Sequence, residues 1–268
     1  MKSPRILHYP GSKWSMAEWI ISHMPQHSAY LEPFMGSGAV LFNKPPVSLE
    51  TVNDLDGDIV NLFSVIRDHP EELARLVEYT PYSRQEYYRS YDYTDDITDL
   101  ERARLFMVRC WMARGARSSD RNGWRHVIDH NGPRPVRQWN DVPQKIMQIT
   151  ERLKSIQIEQ QPAVKLVERY KHPDYLIYAD PPYVLETRKG RIYKHEMNDN
   201  DHVELLDALD AHPGPVLLSG YDHPLYNDRL RHWSREERIV QAEAGQKRIE
   251  VLWINPNATE QVGQMKLF

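Results

Sequence analysis

Apolar residues change period repeatedly along this chain. Ala17, Ile20, Ile21 and Met24 fall at helical spacing, and Pro25 closes the run. Ala29-Tyr30-Leu31 reads as a short strand, Ala39-Val40-Leu41-Phe42 as the start of a helix, and Val47 to Val52 as a second strand. Ile59, Val60, Leu62, Phe63 and Ile66 then mark another helix. From residue 70 the pattern is helical only, over about 70–79, 84–91 and 100–113. Strand and helix then alternate again. The stripe Val142, Ile146, Ile149, Leu153 leads to a short strand at Ile156-Gln157-Ile158, and 162–170 reads as a helix. The continuous apolar run Tyr175-Leu176-Ile177-Tyr178 predicts a buried parallel strand. A helix through His202, Leu205, Leu206 and Leu209, a strand over 215–221, and a strand over 249–254 with 235–241 as its hairpin partner complete the pattern. Such alternation predicts an α/β fold with a mostly parallel sheet. It divides the chain into one unit built from residues 1–69 and 141–255, an insertion over 70–140, and a detached tail over 256–268.

Composition narrows the setting. The 268 residues suit one large domain, or one core with a smaller insertion, and 40% of them are hydrophobic. Cys110 is the single cysteine, which excludes an internal disulfide and a Cys-rich zinc site. With no signal-type apolar run and no 18-residue apolar stretch, a soluble, cytoplasmic protein is expected. The net charge of −4 does not announce a nucleic-acid binder, yet net charge conceals patches. Between Arg102 and Arg137 nine arginines stand against two acids, with no lysine. Forked guanidinium groups suit phosphate and base edges. Arg114, Arg117, Arg121, Asn122, Trp124, Arg125, Arg134 and Arg137 are therefore candidate DNA contacts. A helix face of solvated charge followed by a loop fits the same residues.

Three stretches carry candidate chemistry. In Tyr9-Pro10-Gly11-Ser12-Lys13, a turn opening a helix could combine backbone N–H groups with an ammonium to hold an anion, or be an ordinary turn with a solvated lysine. Glu32-Pro33-Phe34-Met35-Gly36-Ser37-Gly38 is a glycine loop between a strand and a helix, where a ligand can approach the backbone. Asn53-Asp54-Leu55-Asp56 follows at the end of the second strand, where an acid is placed to bind ribose hydroxyls or to cap the next helix. The third stretch, Asp180-Pro181-Pro182-Tyr183, ends the buried strand abruptly, because neither proline can donate to the ladder. A carboxylate, a fixed carbonyl and an aromatic ring then sit at a strand's carboxyl end, where open α/β sheets bind ligands. In the loop beyond, Arg188 and Lys189 are further candidates for meeting a phosphate.

In this order the three stretches resemble the motifs of the Dam-type, D12-class DNA adenine-N6 methyltransferases, and the resemblance covers most of the chain. It implies a Rossmann-like sheet that binds S-adenosylmethionine, with no metal, and a mainly helical target-recognition domain inserted at 70–140. It assigns Tyr9, Gly11, Lys13, Pro33, Phe34, Gly36, Ser37, Gly38, Asp54 and Asp180 to the cofactor, and Asp180, Pro181, Pro182 and Tyr183 to catalysis. The substrate it implies is an adenine flipped out of double-stranded DNA, the enzyme a monomer, the context restriction-modification or related DNA marking. The insertion departs from members that read GATC: 111–117 and 121–125 replace their recognition elements, so the target word does not carry over. Gln264-Met265-Lys266-Leu267-Phe268 resembles the short peptide by which bacterial proteins dock on the replicative sliding clamp. An RNA amine methyltransferase and a non-catalytic DNA-binding protein on the same fold are the alternatives. A nicotinamide enzyme fits poorly, because Leu41 stands where its third glycine belongs.

Overall fold

The computed structural model describes residues 3–94, 96–115, 121–128, 134–188, 190–241 and 247–265. Among these residues seven strands form one sheet: β1 (Ala29–Glu32), β2 (Leu49–Asn53), β3 (Ile156–Glu159), β4 (Tyr175–Ala179), β5 (Val216–Tyr221), β6 (Ser234–Gln241) and β7 (Lys247–Ile254). Their spatial order is β3-β2-β1-β4-β5-β7-β6. The first five strands in that order run parallel, and β7 runs antiparallel to both β5 and β6. The chain therefore builds outward from β1 through β2 to β3, then returns to place β4 on the other side of β1. That reversal opens a crevice beyond the carboxyl ends of β1 and β4.

Helices cover both faces. Between strands run α1 (Ala17–Ser22), which precedes β1, α2 (Ala39–Asn43), α3 (Gly57–Asp68), α4 (Pro70–Glu78), α5 (Arg84–Arg89), α6 (Asp99–Met112), α7 (Pro135–Asn140), α8 (Val142–Leu153), α9 (Ala163–Arg169), α10 (Asp199–Asp210) and α11 (Pro224–Arg229), with α12 (Pro256–Met265) after β7. Alternation along the strands sorts side chains between two cores. Tyr30, Leu176, Tyr178, Leu217, Leu252 and Ile254 join the larger one, with the apolar faces of α3, α4, α6 and α8. Leu31, Ile177, Ala179, Val216, Leu218 and Trp253 join the other, with α9, α10 and α11. Caps set several helix starts. Asp56 accepts from the Asp58 N–H at α3, Thr98 from the Glu101 N–H at α6, and Asn198 with Asp201 forms a capping box at α10.

The predicted alternation stands, with shifted boundaries. The second strand starts at Leu49, not Val47, since the parallel register pairs Leu49 with Ala29. The first helix ends at Ser22, and the His23 and Met24 N–H groups close tighter turns on Ile20 and Ile21. Helices α7 and α11, six residues each and opened by proline, had no apolar stripe long enough to be read. Residues 256–265 do not hang free. They form α12, whose Ala258 is fully buried, and Asn255 staples it to the sheet by accepting from the Val216 and Ala258 N–H groups and donating to the Gly214 carbonyl. No helix among the described residues is long and apolar enough to cross a membrane.

Candidate active site

The loops at the carboxyl ends of β1, β2 and β4 enclose a cavity of about 470 Å³, a size suited to a small-molecule ligand. The Gly36 loop forms one wall. Gly36 and Gly38 both have positive φ, at 49° and 65°, and a Cβ on Gly36 would meet the Tyr9 ring at 3.4 Å. Gly38 sits at the N-cap of α2, off the cavity wall. The Asp54 carboxylate holds the loop in place, accepting from the Gly36 N–H at 2.8 Å and the Asp56 N–H at 2.9 Å. Both acids line the cavity; Asp56 also caps α3, whereas Asp54 braces the Gly36 loop. Burial pushes the Asp54 carboxyl up to about 6, against the pull of those N–H groups. Asn53 fixes the neighbouring chain by donating to the Pro33 and Gln161 carbonyls and accepting from the Gln161 N–H.

The N-terminal turn forms the opposite wall. Lys13 is not solvated. It is 5% exposed, donates to the Gly11 carbonyl at 2.8 Å and lies 3.0 Å from Asp180 Oδ1. Burial alone would lower its pKa, but Asp180 and Glu250 outweigh that and hold the ammonium above its ordinary range. Burial raises the Asp180 carboxyl, in spite of the ammonium beside it. Ser12 and Ser37 hydroxyls meet at 2.9 Å and tie the two glycine turns together. Gly11 has φ 66°, and a Cβ there would fall 2.1 Å from the Tyr193 hydroxyl. Tyr9, Pro33, Phe34 and Ser37 line the cavity with Asp180 and Pro182, whereas Pro181 and Tyr183 lie behind it.

Sequence reasoning did not find what holds Tyr183. Its hydroxyl donates to Glu250 Oε2 at 2.6 Å, across 67 residues of chain. Its ring packs edge-to-face with Tyr221 at 4.5 Å between centroids, and Lys13 Nζ lies 4.8 Å from its centre. Glu250 is on β7, whose reversed direction brings its first half to the same end of the sheet as Asp180. In sequence Glu32 stands simply as the first residue of the glycine loop. It proves to be a buried acid in the cavity wall, its Oε2 accepting from the Tyr30 hydroxyl at 2.8 Å. Burial raises its carboxyl to about 8, although that hydrogen bond opposes the shift. No group of three or more His, Cys, Asp or Glu among the described residues is arranged to hold a metal ion.

A sequence model of the D12 class of N6 adenine-specific DNA methyltransferases matches residues 9–247. The chain belongs to this family. It is similar to the type II methyltransferase M1.LlaDCHI of Lactococcus lactis subsp. cremoris, with 29% identity over 84% of each chain. It is also similar to the retron Ec67 DNA adenine methylase of Escherichia coli, with 22% identity over 91% of this chain and 87% of the relative. A DNA adenine methylase of Vibrio cholerae matches 41% of this chain at 27% identity. The protein is thus an adenine-specific DNA methyltransferase, and membership implies S-adenosylmethionine as methyl donor.

The arginines of this methyltransferase divide by environment. Arg102 and Arg109 pair with Asp58, and Arg104 with Glu101 and Glu86, so these three brace α6. Arg114, Arg134 and Arg137 are exposed. Arg121 lies over the Tyr88 ring at 5.0 Å, and the Asn122 carbonyl accepts from the Tyr87 hydroxyl. Trp124 stacks on His126 with centroids 5.5 Å apart and carries Arg84 at 4.8 Å. Arg188, read as a phosphate contact, is instead spent internally: its side chain is 4% exposed, paired with Glu196 and donating to the Tyr183 carbonyl. Arg117 and Lys189 lie outside the described residues.

Proposed function

We propose that the protein is a site-specific methyltransferase that moves a methyl group from S-adenosylmethionine to N6 of an adenine flipped out of double-stranded DNA. One observation carries this reading: Asp180, at the end of β4, shares a cavity wall with the Gly36 loop and with Asp54. The cavity fits the cofactor. The acidic groups Asp54 and Asp180 suit a ligand carrying sulfonium and ammonium charge, and the absence of a Cβ at Gly36 leaves the Tyr9 ring room against the backbone. Asp54 retains a lone pair on each oxygen for ribose hydroxyls after accepting its two N–H bonds.

When bound, the cofactor supplies an electrophilic methyl group on sulfur. The protein's task is to present the amine. The N6 lone pair of adenine is delocalised into the ring, so the amine is a poor nucleophile. The Asp180 carboxylate can accept one N6–H bond, and the Pro181 carbonyl, which does not line the cavity, a second once the entering base displaces what covers it; together they turn the lone pair out of conjugation. Two prolines in succession fix that carbonyl. The base reaches this position only out of the helical stack. Tyr183 would face it, but the ring is 8% exposed, so stacking requires Lys13 or Tyr221 to yield.

Residues 70–140 serve, in this reading, as the target-recognition domain, with Arg114, Arg117, Arg121, Asn122, Trp124, Arg125, Arg134 and Arg137 turned to DNA. The similarity to a type II methyltransferase favours a role in restriction-modification. The terminal Gln264–Phe268 segment is proposed as a sliding-clamp peptide, although residues 266–268 lie outside the described residues. The deciding experiment is transfer of labelled methyl groups to duplex DNA and to structured RNA by wild type and Asp180→Ala. The expected result is adenine labelling in DNA by wild type and none by the variant, which still binds S-adenosylmethionine. Near-normal turnover by the variant, or labelling confined to RNA, would overturn the reading.

A further inference from the structure

Several arginines in the helical part of this protein are neutralised internally. Arg102 and Arg109 have Asp58, Arg104 has Glu101 and Glu86, and Arg152 has Glu50. Four half-buried basic side chains stand apart from these pairs. Arg5, His8, Arg125 and Lys145 come from three separate stretches, converge, and form no ion pair among the described residues.

Trp111 gathers them. Its indole N–H donates to the Ile6 carbonyl at 2.9 Å, which pins the N-terminal segment against α6. The His8 ring meets that indole edge-on with centroids 4.4 Å apart, and Lys145 Nζ, from α8, lies 4.4 Å from its centre. Arg5 Nε donates to the Leu7 carbonyl at 3.1 Å, leaving the outer fork of the guanidinium without a described carboxylate. Arg125 is fixed by its backbone: its N–H donates to the Met112 carbonyl at 2.7 Å, and its carbonyl accepts from the Tyr82 hydroxyl at 2.6 Å.

All four are half-buried, so solvent screens them incompletely. Burial first, then Arg5, Arg125 and Lys145, drives the His8 pKa down to about 3, so this imidazole is neutral. Arg5 and Lys145 are also lowered, burial leading in each case, and Asp141 is the acid that offsets Lys145. A chain of net charge −4 could have supplied a carboxylate here. Apart from Asp141, which acts on Lys145 without pairing with it, it supplies aromatic rings and backbone carbonyls instead. Three like charges held together in partial burial cost stability, and an anion brought from outside relieves that cost. The cluster is joined to the cavity through the chain: His8 is followed by Tyr9, which lines the cavity wall, although none of the four lines it.

We propose that Arg5, Arg125 and Lys145 form a binding site for a backbone phosphate of the DNA substrate. This rests on the DNA-methyltransferase reading above. Free inorganic phosphate offers the same chemistry from another source. Each phosphate contact contributes about 0.9 to the slope of log affinity against log salt. The test measures duplex binding by fluorescence anisotropy across a salt titration, for the full chain and for Arg5→Gln, Lys145→Gln, the double variant and Lys145→Arg, on several unrelated duplex sequences. Loss of the site removes one phosphate contact, so the double variant is expected to lower the slope by about 0.9 and each Gln variant by no more than that, equally on every duplex, with S-adenosylmethionine affinity unchanged and the slope restored in Lys145→Arg. An unchanged slope, or a loss confined to certain sequences, overturns the proposal. So does stabilisation of wild type by inorganic phosphate that the Gln variants abolish while their DNA slopes stay put. A wild type that fails to bind DNA at all would instead refute the reading on which the proposal rests.

Discussion

The hydrogen bond between Tyr183 and Glu250 gives the sharpest quantitative test of the active site. The acceptor is an ionisable carboxylate, the distance is 2.6 Å, and both side chains are buried. Hydrogen bonds to charged groups contribute about 1.5–3 kcal/mol. If the bond serves to hold the ring beside the reacting amine, that energy is lost from the transition state. At about 1.4 kcal/mol per factor of ten, Glu250→Ala should lower kcat/KM on duplex DNA roughly 10- to 150-fold. Glu250→Gln retains an acceptor oxygen of the same reach and should lose less. Tyr183→Phe removes the donor and keeps the ring. The double variant Glu250→Gln/Tyr183→Phe should be no worse than the poorer single variant, because both act through one bond. Steady-state methyl transfer supplies the rates, and calorimetry of S-adenosylmethionine binding supplies a control that should not move. Wild-type kcat/KM in Glu250→Ala, or losses that simply add in the double variant, would refute the argument.

Two further expectations concern the buried charges. Lys13 lies between Asp180 and Glu250, so Lys13→Met strands two carboxylates in a poorly solvated site; a loss of about 3–5 kcal/mol in unfolding free energy is expected, and an unchanged urea midpoint would contradict it. Glu32 holds its proton up to about pH 8 when folded and releases it near 4.5 when unfolded, so the folded state binds more protons between those values and stability falls as pH rises through that window. Glu32→Gln removes the dependence and should be the more stable protein above pH 8, by a few kcal/mol at most. Denaturation curves that stay parallel for variant and wild type from acid to alkaline pH would show that Glu32 carries no such linkage.

How much of this was legible beforehand depends on the range of the interactions concerned. Strand β4 and the motif at its end could be read locally, since an apolar run and two prolines declare themselves within ten residues. The glycine loop and the acids after β2 were equally local, but the choice between Asp54 and Asp56 was not. It depends on which carboxylate the Gly36 N–H reaches, 18 residues away. The fate of the arginines was hidden for the same reason. Nothing around Arg102 or Arg109 in sequence announces Asp58, and nothing around Arg188 distinguishes a partner for Glu196 from a partner for phosphate. Glu250 was the least visible of all. In Ile249-Glu250-Val251-Leu252-Trp253-Ile254 it reads as the polar member of an alternating strand, and only the antiparallel insertion of β7 turns it toward Tyr183.

That insertion sets an order on assembly. Strand β6 pairs with β7 and not with β5, so β6 cannot join the sheet until β7 is in place. A nascent chain halted before residue 247 already holds the Gly36 loop, Asp54 and Asp180 through Tyr183. It lacks the acceptor of the Tyr183 hydroxyl and the second carboxylate beside Lys13. Pairing of β7 with β5 therefore supplies the last of these active-site contacts along the chain. A truncated or stalled product can carry every recognisable motif and still be unfit to modify the genome.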